Sequence, residues 1–555
     1  MRSLGFTFAT LGSGRTGFGK YKEVPSFSIC QSCKNSIVVM LTIVALSFIT
    51  SSVMAADSAK YAGKAVLDGH SKVNFPDMSE GSGKRRRTLS KESATCASCH
   101  EESSPAVHLQ WARSGHYEAN IGCYECHQAK PGDVDAIRHK DYIISVIVSP
   151  KDCGQCHDKE VKQFAGSHHA LAYNTSGSPD LLLAEVVEAT AGKGHSAAKV
   201  SGCDQCHGSD IKVLDSGQLD PLTWPNSGIG RLNPDGSKGA CSACHARHEF
   251  SSAQARHPDT CGKCHLGEKN PIKAIYEESK HGIAFQSDIK GMNMKSSSWI
   301  VGRDYTTAPT CSTCHMSATN ELEITHDTGT RISWNNRGPI SVRPEKVDEV
   351  LGLESADTDW EERRDAMLTV CGSCHTEEYI ANFYIQYDNL IQLYNSKFGI
   401  PGSKLMDVVK EVLNPQEFSN KIDWIWFDLY HNEGRAARHG AAMMAPDITH
   451  WEGTYEVAKS FYNEFIPEIR NIANKARKAG KVAEADKIIA ALEEVLAQDN
   501  HKWYSPDGKV KAPKANADGA AAPEKSEAGS DKPVTSNAEN SAISNDLANL
   551  QQEEK

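Results

Sequence analysis

Eight copies of one short pattern, Cys-x-x-Cys-His, govern what this chain can become. They are Cys96/Cys99/His100, Cys123/Cys126/His127, Cys153/Cys156/His157 and Cys203/Cys206/His207, then Cys241/Cys244/His245, Cys261/Cys264/His265, Cys311/Cys314/His315 and Cys371/Cys374/His375. Random placement of 18 Cys and 23 His among 555 residues yields about 0.02 copies. Two thiols three positions apart on a helical turn can add to the two vinyl groups of one haem, and the adjoining imidazole then falls below the iron. Each copy therefore supplies two thioether links and one axial ligand. Zinc ribbons pair CxxC with CxxC and need no His after the second Cys, and disulfides would not need that His either. The expected cofactor is eight covalently bound haem c.

All eight motifs fall between Cys96 and His375, roughly 35 residues per haem, where an ordinary core needs ~100. The haems must then be the core, close enough to one another to pass electrons. The expected fold is mainly α, a haem-packed multihaem cytochrome c core over residues 95–376, because few alternating apolar runs are long enough for strands. From residue 377 no further motif appears, and helix-like stretches at 381–397, 403–413 and 451–498 suggest a C-terminal helical domain to residue 504. There Ile488, Ile489, Leu492 and Val495 form one apolar face.

A second phrase points to the other axial ligands. An aromatic residue, two positions, Ser, one position and His recur as Trp111/Ser114/His116, Phe164/Ser167/His169 and Tyr276/Ser279/His281. The spacing is consistent with a helix whose aromatic end packs on a haem while the His reaches an iron. Next come His248, three residues after His245, and His326 in Thr325–Gly329, then His139 and His195, and last His257. An iron with two His moves electrons only, and one lacking the second His can bind substrate.

The termini read differently. Residues 1–55 hold several Lys and Arg, the apolar run Ile37–Ile49 and the small-residue end Val53-Met54-Ala55. A 13-residue run is short for a membrane span of ~20 and fits a secretory signal peptide, with retention as an anchor the alternative. Export to the periplasm or an equivalent compartment agrees with covalent haem attachment, and Cys30-x-x-Cys33-Lys34 would not become a site. Residues 56–94 form an N-terminal segment, and 505–555, with no aromatic after Tyr504, a disordered tail. The net charge of −11 argues against nucleic acid as a partner.

The motifs, the Ser-x-His phrases, Thr325–Asn335 (THDTGTRISWN) and His439–Gly453 (HGAAMMAPDITHWEG) together resemble the octahaem hydroxylamine oxidoreductase family over residues 95–498. The resemblance implies a trimer of helical subunits in which the fourth haem, here on Cys203, Cys206 and His207, is five-coordinate and catalytic. The other seven haems would be bis-His wires. Two departures stand out. Oxidative members carry a Tyr, in a P-D-Y-x-x-W-x-G context, that bonds covalently to the catalytic haem of a neighbouring subunit; here the stretch is Pro446-Asp447-Ile448-Thr449-His450-Trp451-Glu452-Gly453. An Asp-His pair before a Pro after the sixth motif is here Lys269-Asn270-Pro271. Members without the tyrosyl bond resemble reductases.

The expectation is therefore reduction of nitrite, a small nitrogen compound, to nitric oxide, hydroxylamine or ammonium. His207 would hold the catalytic haem, with Lys269 and Asn270 beside it and Lys269 attracting the anion. A redox partner protein would feed the other seven haems, and a homotrimer or a hetero-oligomer with a paralogue would be the assembly. Oxidation of hydroxylamine or hydrazine, and a non-catalytic electron-transfer subunit, are the alternatives.

Overall fold

A computed structural model of the protein describes residues 88–173, 197–267 and 270–504. Within them helices dominate, and the one sheet is a hairpin in which Ala136–His139 pairs antiparallel with Tyr142–Ser145. Lys140 makes its tight turn at φ 54°. No helix among the described residues is long and apolar enough to cross a membrane. The signal segment, Cys30, Cys33 and the C-terminal tail all lie outside the described residues.

In the motif region the helices are short, and polar tethers between motifs do the work that apolar packing does elsewhere. The helix Lys91–Ser103, which carries the first motif, is capped by Ser90, whose Oγ accepts from Ser93 N at 3.1 Å. Ser93 Oγ then donates to Glu125 Oε2 at 2.5 Å and accepts from Tyr124 N at 2.9 Å. Both partners are the variable residues inside the second motif, so those two positions fix one motif against the next. Arg331 does the same for the seventh: its buried guanidinium donates to the carbonyls of Thr313, Cys314, Ser317 and Glu323.

A buried ionic node holds the next layer. Asp348 accepts from Ser355 Oγ at 2.9 Å, pairs with Arg363 Nη2 at 2.8 Å and meets His168 Nε2 at 2.5 Å, with the Asp348 and Arg363 side chains 1% exposed. It joins the helices Pro344–Val350 and Trp360–Gly372 to the turn bearing His168 and His169. Burial alone would raise the Asp348 pKa, but the hydrogen bonds from His168, Ser355 and Arg363 outweigh it and hold it below its usual value. Asp348→Ala should strand the Arg363 charge and cost about 3–5 kcal/mol in denaturant unfolding. The Asp348 contribution is present above its unfolded pKa of ~4 and is lost as pH falls through the lower folded value. A variant as stable as the parent at neutral pH would contradict this.

The C-terminal helices make a conventional core. Glu377–Tyr394 runs into a π-turn, Asn395–Gly399, then Ile400–Lys410; a second π-turn, Phe461–Phe465, leads into Ile466–Lys478. Each of these π-turns precedes a proline, Pro401 or Pro467, whose missing N–H interrupts the regular ladder. Leu405, Val409, Ile422, Phe461, Phe465, Ile469 and Ile488 are at most 1% exposed in one cluster with Leu492 and Val495. Ile489 packs against it, so the apolar face read from the sequence is the face that is buried.

Candidate haem-binding cavity

The aromatic–Ser–His phrases do not form single helices. In all three the serine ends one turn and starts another: Ser114, Ser167 and Ser279 donate to the carbonyls of Trp111, Phe164 and Tyr276 at 2.7, 2.7 and 2.6 Å. Ser114 and Ser279 then cap the helices Gly115–Glu118 and Lys280–Ser287 by accepting from Tyr117 N and Gly282 N, each at 3.2 Å. An Ncap hydroxyl satisfies a donor that the new helix cannot. All three serines are buried. The phrase is thus a kink that delivers the His two positions after the serine, and the expected continuous helix is corrected to helix, cap and turn.

Those histidines face motif histidines. Ring centroids lie 6.2 Å apart for His116 and His157, 6.3 Å for His169 and His265, and 6.1 Å for His281 and His375. His139 faces His100 at 6.2 Å and His248 faces His127 at 6.4 Å. Two imidazoles bound to one metal, each by a nitrogen ~2 Å away, have centroids about 6 Å apart. The separations therefore fit one iron between each pair. The charge of His326 acts most strongly, among its neighbours, on His245. Among the described residues no ring is paired in this way with His207 or His315.

The chemistry of the rings also fits. His127 Nδ1 lies 2.8 Å from Ser145 O, so it carries the proton, leaving Nε2 for a metal. Burial pulls His169 down to about 3, and His245 and His315 to about 4. These rings are neutral at neutral pH, the form that ligates. The described motif cysteines are all free thiols, with no disulfide among them.

A branched cavity of about 2970 Å³ is lined by residues of seven motifs, the second to the eighth, well beyond the ~300–1,000 Å³ of a small-ligand pocket. Thiols from different motifs adjoin within it. Cys153 adjoins Cys241, as Cys261 does Cys311 and Cys264 does Cys206. Cys96 acts electrostatically on Cys123, Cys156 on Cys126, Cys261 on Cys244 and Cys371 on Cys314. By these neighbours the motifs run first, second, third, fifth, sixth, seventh, eighth, and the fourth adjoins the sixth through Cys206 and Cys264.

The motifs at the two ends of that line contribute less to the cavity wall. At the eighth motif Cys371 and His375 line the cavity, but Cys374 does not, and its thiol is exposed. The reason is positional: Cys371 meets Cys314 of the seventh motif, whereas the helix Glu377–Tyr394 that follows Cys374 carries no motif to cover it. At the other end Cys96, Cys99, His100, Cys123 and His127 also lie outside the cavity lining, with Cys99 exposed and accepting from Lys140 Nζ at 3.3 Å. The distal candidates His139 and His248 stand with them. Cys156 is exposed as well, although it lines the cavity.

Other expected residues take different places. Asn270 Nδ2 lies 3.0 Å from His265 Nδ1; with the amide turned over, its oxygen would accept the ring proton and leave Nε2 for a metal. It therefore positions the sixth-motif imidazole. His257 caps the helix Pro258–Gly262, packs edge-on against Phe285 and pairs with Asp259 at 3.5 Å, with no facing motif ring. Lys269 and His195 lie outside the described residues. Ile448 is buried in an apolar cluster with Ile275, Ala436 and Ala445, its N–H donating to Glu278 at 3.2 Å. His439, half-buried and lining the cavity with Nδ1 unpartnered among the described residues, was not among the ligand candidates; no neighbouring CxxCH or Ser-x-His phrase marks it.

The chain is similar to several known proteins. A family model described as seven times multi-haem cytochrome CxxCH matches residues 233–393, and one for cytochrome c554 and c-prime matches 152–214. A probable nitrite reductase-hydroxylamine oxidoreductase fusion protein of Kuenenia stuttgartiensis is 25% identical over 328 residues, 51% of this chain and 34% of that protein. The match thus spans about a third of that relative's length. A solved structure named only as a hypothetical multiheme protein superposes with TM-score 0.60 at 27% identity, over 71% of this chain and 98% of that one. A Kuenenia stuttgartiensis reducing HAO-like protein complex aligns with TM-score 0.46 at 19% identity, over 72% of this chain and 87% of that one. With its CxxCH array and facing imidazoles, the chain is a mainly α multihaem c-type cytochrome.

Proposed function

We propose that the protein is an exported octahaem oxidoreductase that reduces nitrite at the haem held by Cys203, Cys206 and His207. The observation that carries this reading is the fourth motif's place: Cys203, Cys206 and His207 line the cavity, Cys206 lies beside Cys264 of the sixth motif, and no imidazole is paired with His207 among the described residues, a feature it shares with His315. Its contact with the sixth motif gives the site a route for electrons. When bound, haem there supplies an iron position open to a small ligand. The name of the Kuenenia relative supports nitrogen chemistry.

The chain's own residues divide the work. His207 holds the reacting centre from below. His116, His139, His169, His248, His281 and His326 would each supply a second imidazole to the haem held by His157, His100, His265, His127, His375 and His245 respectively, confining those sites to electron transfer. Asn270 orients His265 at the sixth motif. Ile448 cannot form a tyrosyl bond, so the porphyrin at the fourth motif keeps an unmodified ring, which suits reduction. Taking nitrite beyond nitric oxide requires several electrons, which a line of adjoining sites can store. A redox partner protein supplies them, in a homotrimer or beside a paralogous subunit.

The test is nitrite consumption by the purified holoprotein with a reduced viologen dye, with product analysis. Loss of nitrite with formation of nitric oxide, hydroxylamine or ammonium supports the reading. No loss of nitrite, with electrons passing from hydroxylamine to an acceptor dye, would move the reaction to the oxidative direction. Neither activity would leave an electron-transfer subunit.

A further inference from the structure

Among the arginines that line the cavity, Arg256 and Arg331 donate to backbone carbonyls and Arg435 to the carbonyl of Arg337, and other arginines of the fold are likewise engaged. Arg363 pairs with Asp348, Arg364 with Asp388, and Arg438 donates to three carbonyls and a hydroxyl. Arg343 lies over Trp334 and Trp360, and donates to Ser333 O at 2.8 Å. Arg337 differs. Its backbone N–H donates to Asn335 Oδ1 at 3.0 Å and its carbonyl accepts from Arg435 Nη2 at 2.9 Å, which pins the main chain. Its guanidinium makes no ion pair or hydrogen bond among the described residues. The side chain is enclosed by protein yet accessible to water-sized molecules, because it faces the cavity of which it forms a wall.

A guanidinium that lines a cavity with no protein partner keeps its N–H donors available to an anion that enters. The position says where that anion would sit. The charge of Arg337 acts on His169 and His265, the facing rings of the sixth motif, and on His439. The sixth motif adjoins the fourth, so the cation stands beside the route to the proposed reacting centre. Among the described residues Asp348 is the only carboxylate whose charge registers at Arg337, and both its oxygens are engaged by His168, Ser355 and Arg363.

We propose that Arg337 is the anion receptor of this cavity, its planar fork taking a carboxylate or a nitrite-like oxyanion through paired N–H donors. The anion is either a free oxyanion entering the cavity or the propionate of the haem held at the sixth motif. The free-oxyanion arm rests on the nitrite reading and identifies the residue that selects an anion over a neutral ligand; the propionate arm does not depend on it.

The experiment compares Arg337→Gln and Arg337→Lys with the parent holoprotein, after haem content and circular dichroism show that each has folded. Optical titrations with nitrite and with neutral hydroxylamine are run beside a ligand-free redox titration. A free-anion site predicts that Arg337→Gln weakens nitrite binding ~10-fold or more while hydroxylamine binding changes by less than about twofold, with partial rescue by Lys. A propionate site predicts unchanged nitrite affinity and one haem potential shifted downward, because removing a cation disfavours the reduced, more negative state. If the parent binds no nitrite but that potential moves, the nitrite reading fails and the receptor stands. Unchanged nitrite affinity together with unchanged potentials would overturn the proposal. If Arg337→Gln does not fold, Arg337→Met, which also removes the charge, is read by the same criteria.

Discussion

Replacing Cys203 and Cys206 together by alanine should lower the bound haem from eight to seven and reduce nitrite turnover to the level without enzyme. No other pair of substitutions is expected to have so large an effect, because the fourth motif adjoins the sixth and no second imidazole is paired with His207 among the described residues. The matching change at the far end of the line, Cys96→Ala with Cys99→Ala, should also remove one haem, yet leave turnover measurable through the remaining sites. Intact-protein mass and viologen-linked rates read both outcomes. Equal loss of turnover in the two variants would mean that the fourth motif has no special role.

The second large effect is expected at His169. Its ring faces His265 at 6.3 Å, and the sixth motif meets the fourth, fifth and seventh. His169→Ala should open that iron, adding high-spin character and slowing electron delivery to the fourth site. His169→Met should keep a ligand and raise one potential, by about 0.1 V or more on an axial-ligand scale that spans ~0.8 V. His116→Ala and His281→Ala should also add high-spin character but leave the sixth site intact. Unchanged spectra in all three alanine variants would show that the facing rings are not ligands.

Much of this was legible in the sequence, for reasons that can be named. CxxCH puts an entire chemical unit into five consecutive positions, so no folding information is needed to find it. What the motif does not encode is enclosure: Cys371 lines the cavity while Cys374, three positions on, is exposed, because cover comes from neighbouring motifs and the last one has a neighbour on one side only. The apolar face at Ile488, Leu492 and Val495 follows from helical periodicity alone. The aromatic–Ser–His phrase located three facing histidines, although its serine marks a break: Ser279 caps one helix and bonds the last turn of the preceding one. Pairing order was not legible, because His248 reaches His127 and His281 reaches His375 across long stretches of chain with no local mark of the partner. His139 sits at the end of a short hairpin strand that gave little periodic signal, yet it faces His100. His257 shows the reverse, a histidine beside a motif whose ring is used as a helix cap. Arg337 and the Asp348 node escaped notice because an unpaired or triply bonded charge looks like any surface charge until its neighbours are known.

The central claim is an iron open to nitrite at the fourth motif, and low-temperature electron paramagnetic resonance of the oxidised holoprotein tests it most directly. The account predicts a high-spin ferric signal that converts to low-spin on addition of nitrite and is missing from the Cys203→Ala, Cys206→Ala variant. A spectrum that is low-spin throughout and indifferent to nitrite would contradict it.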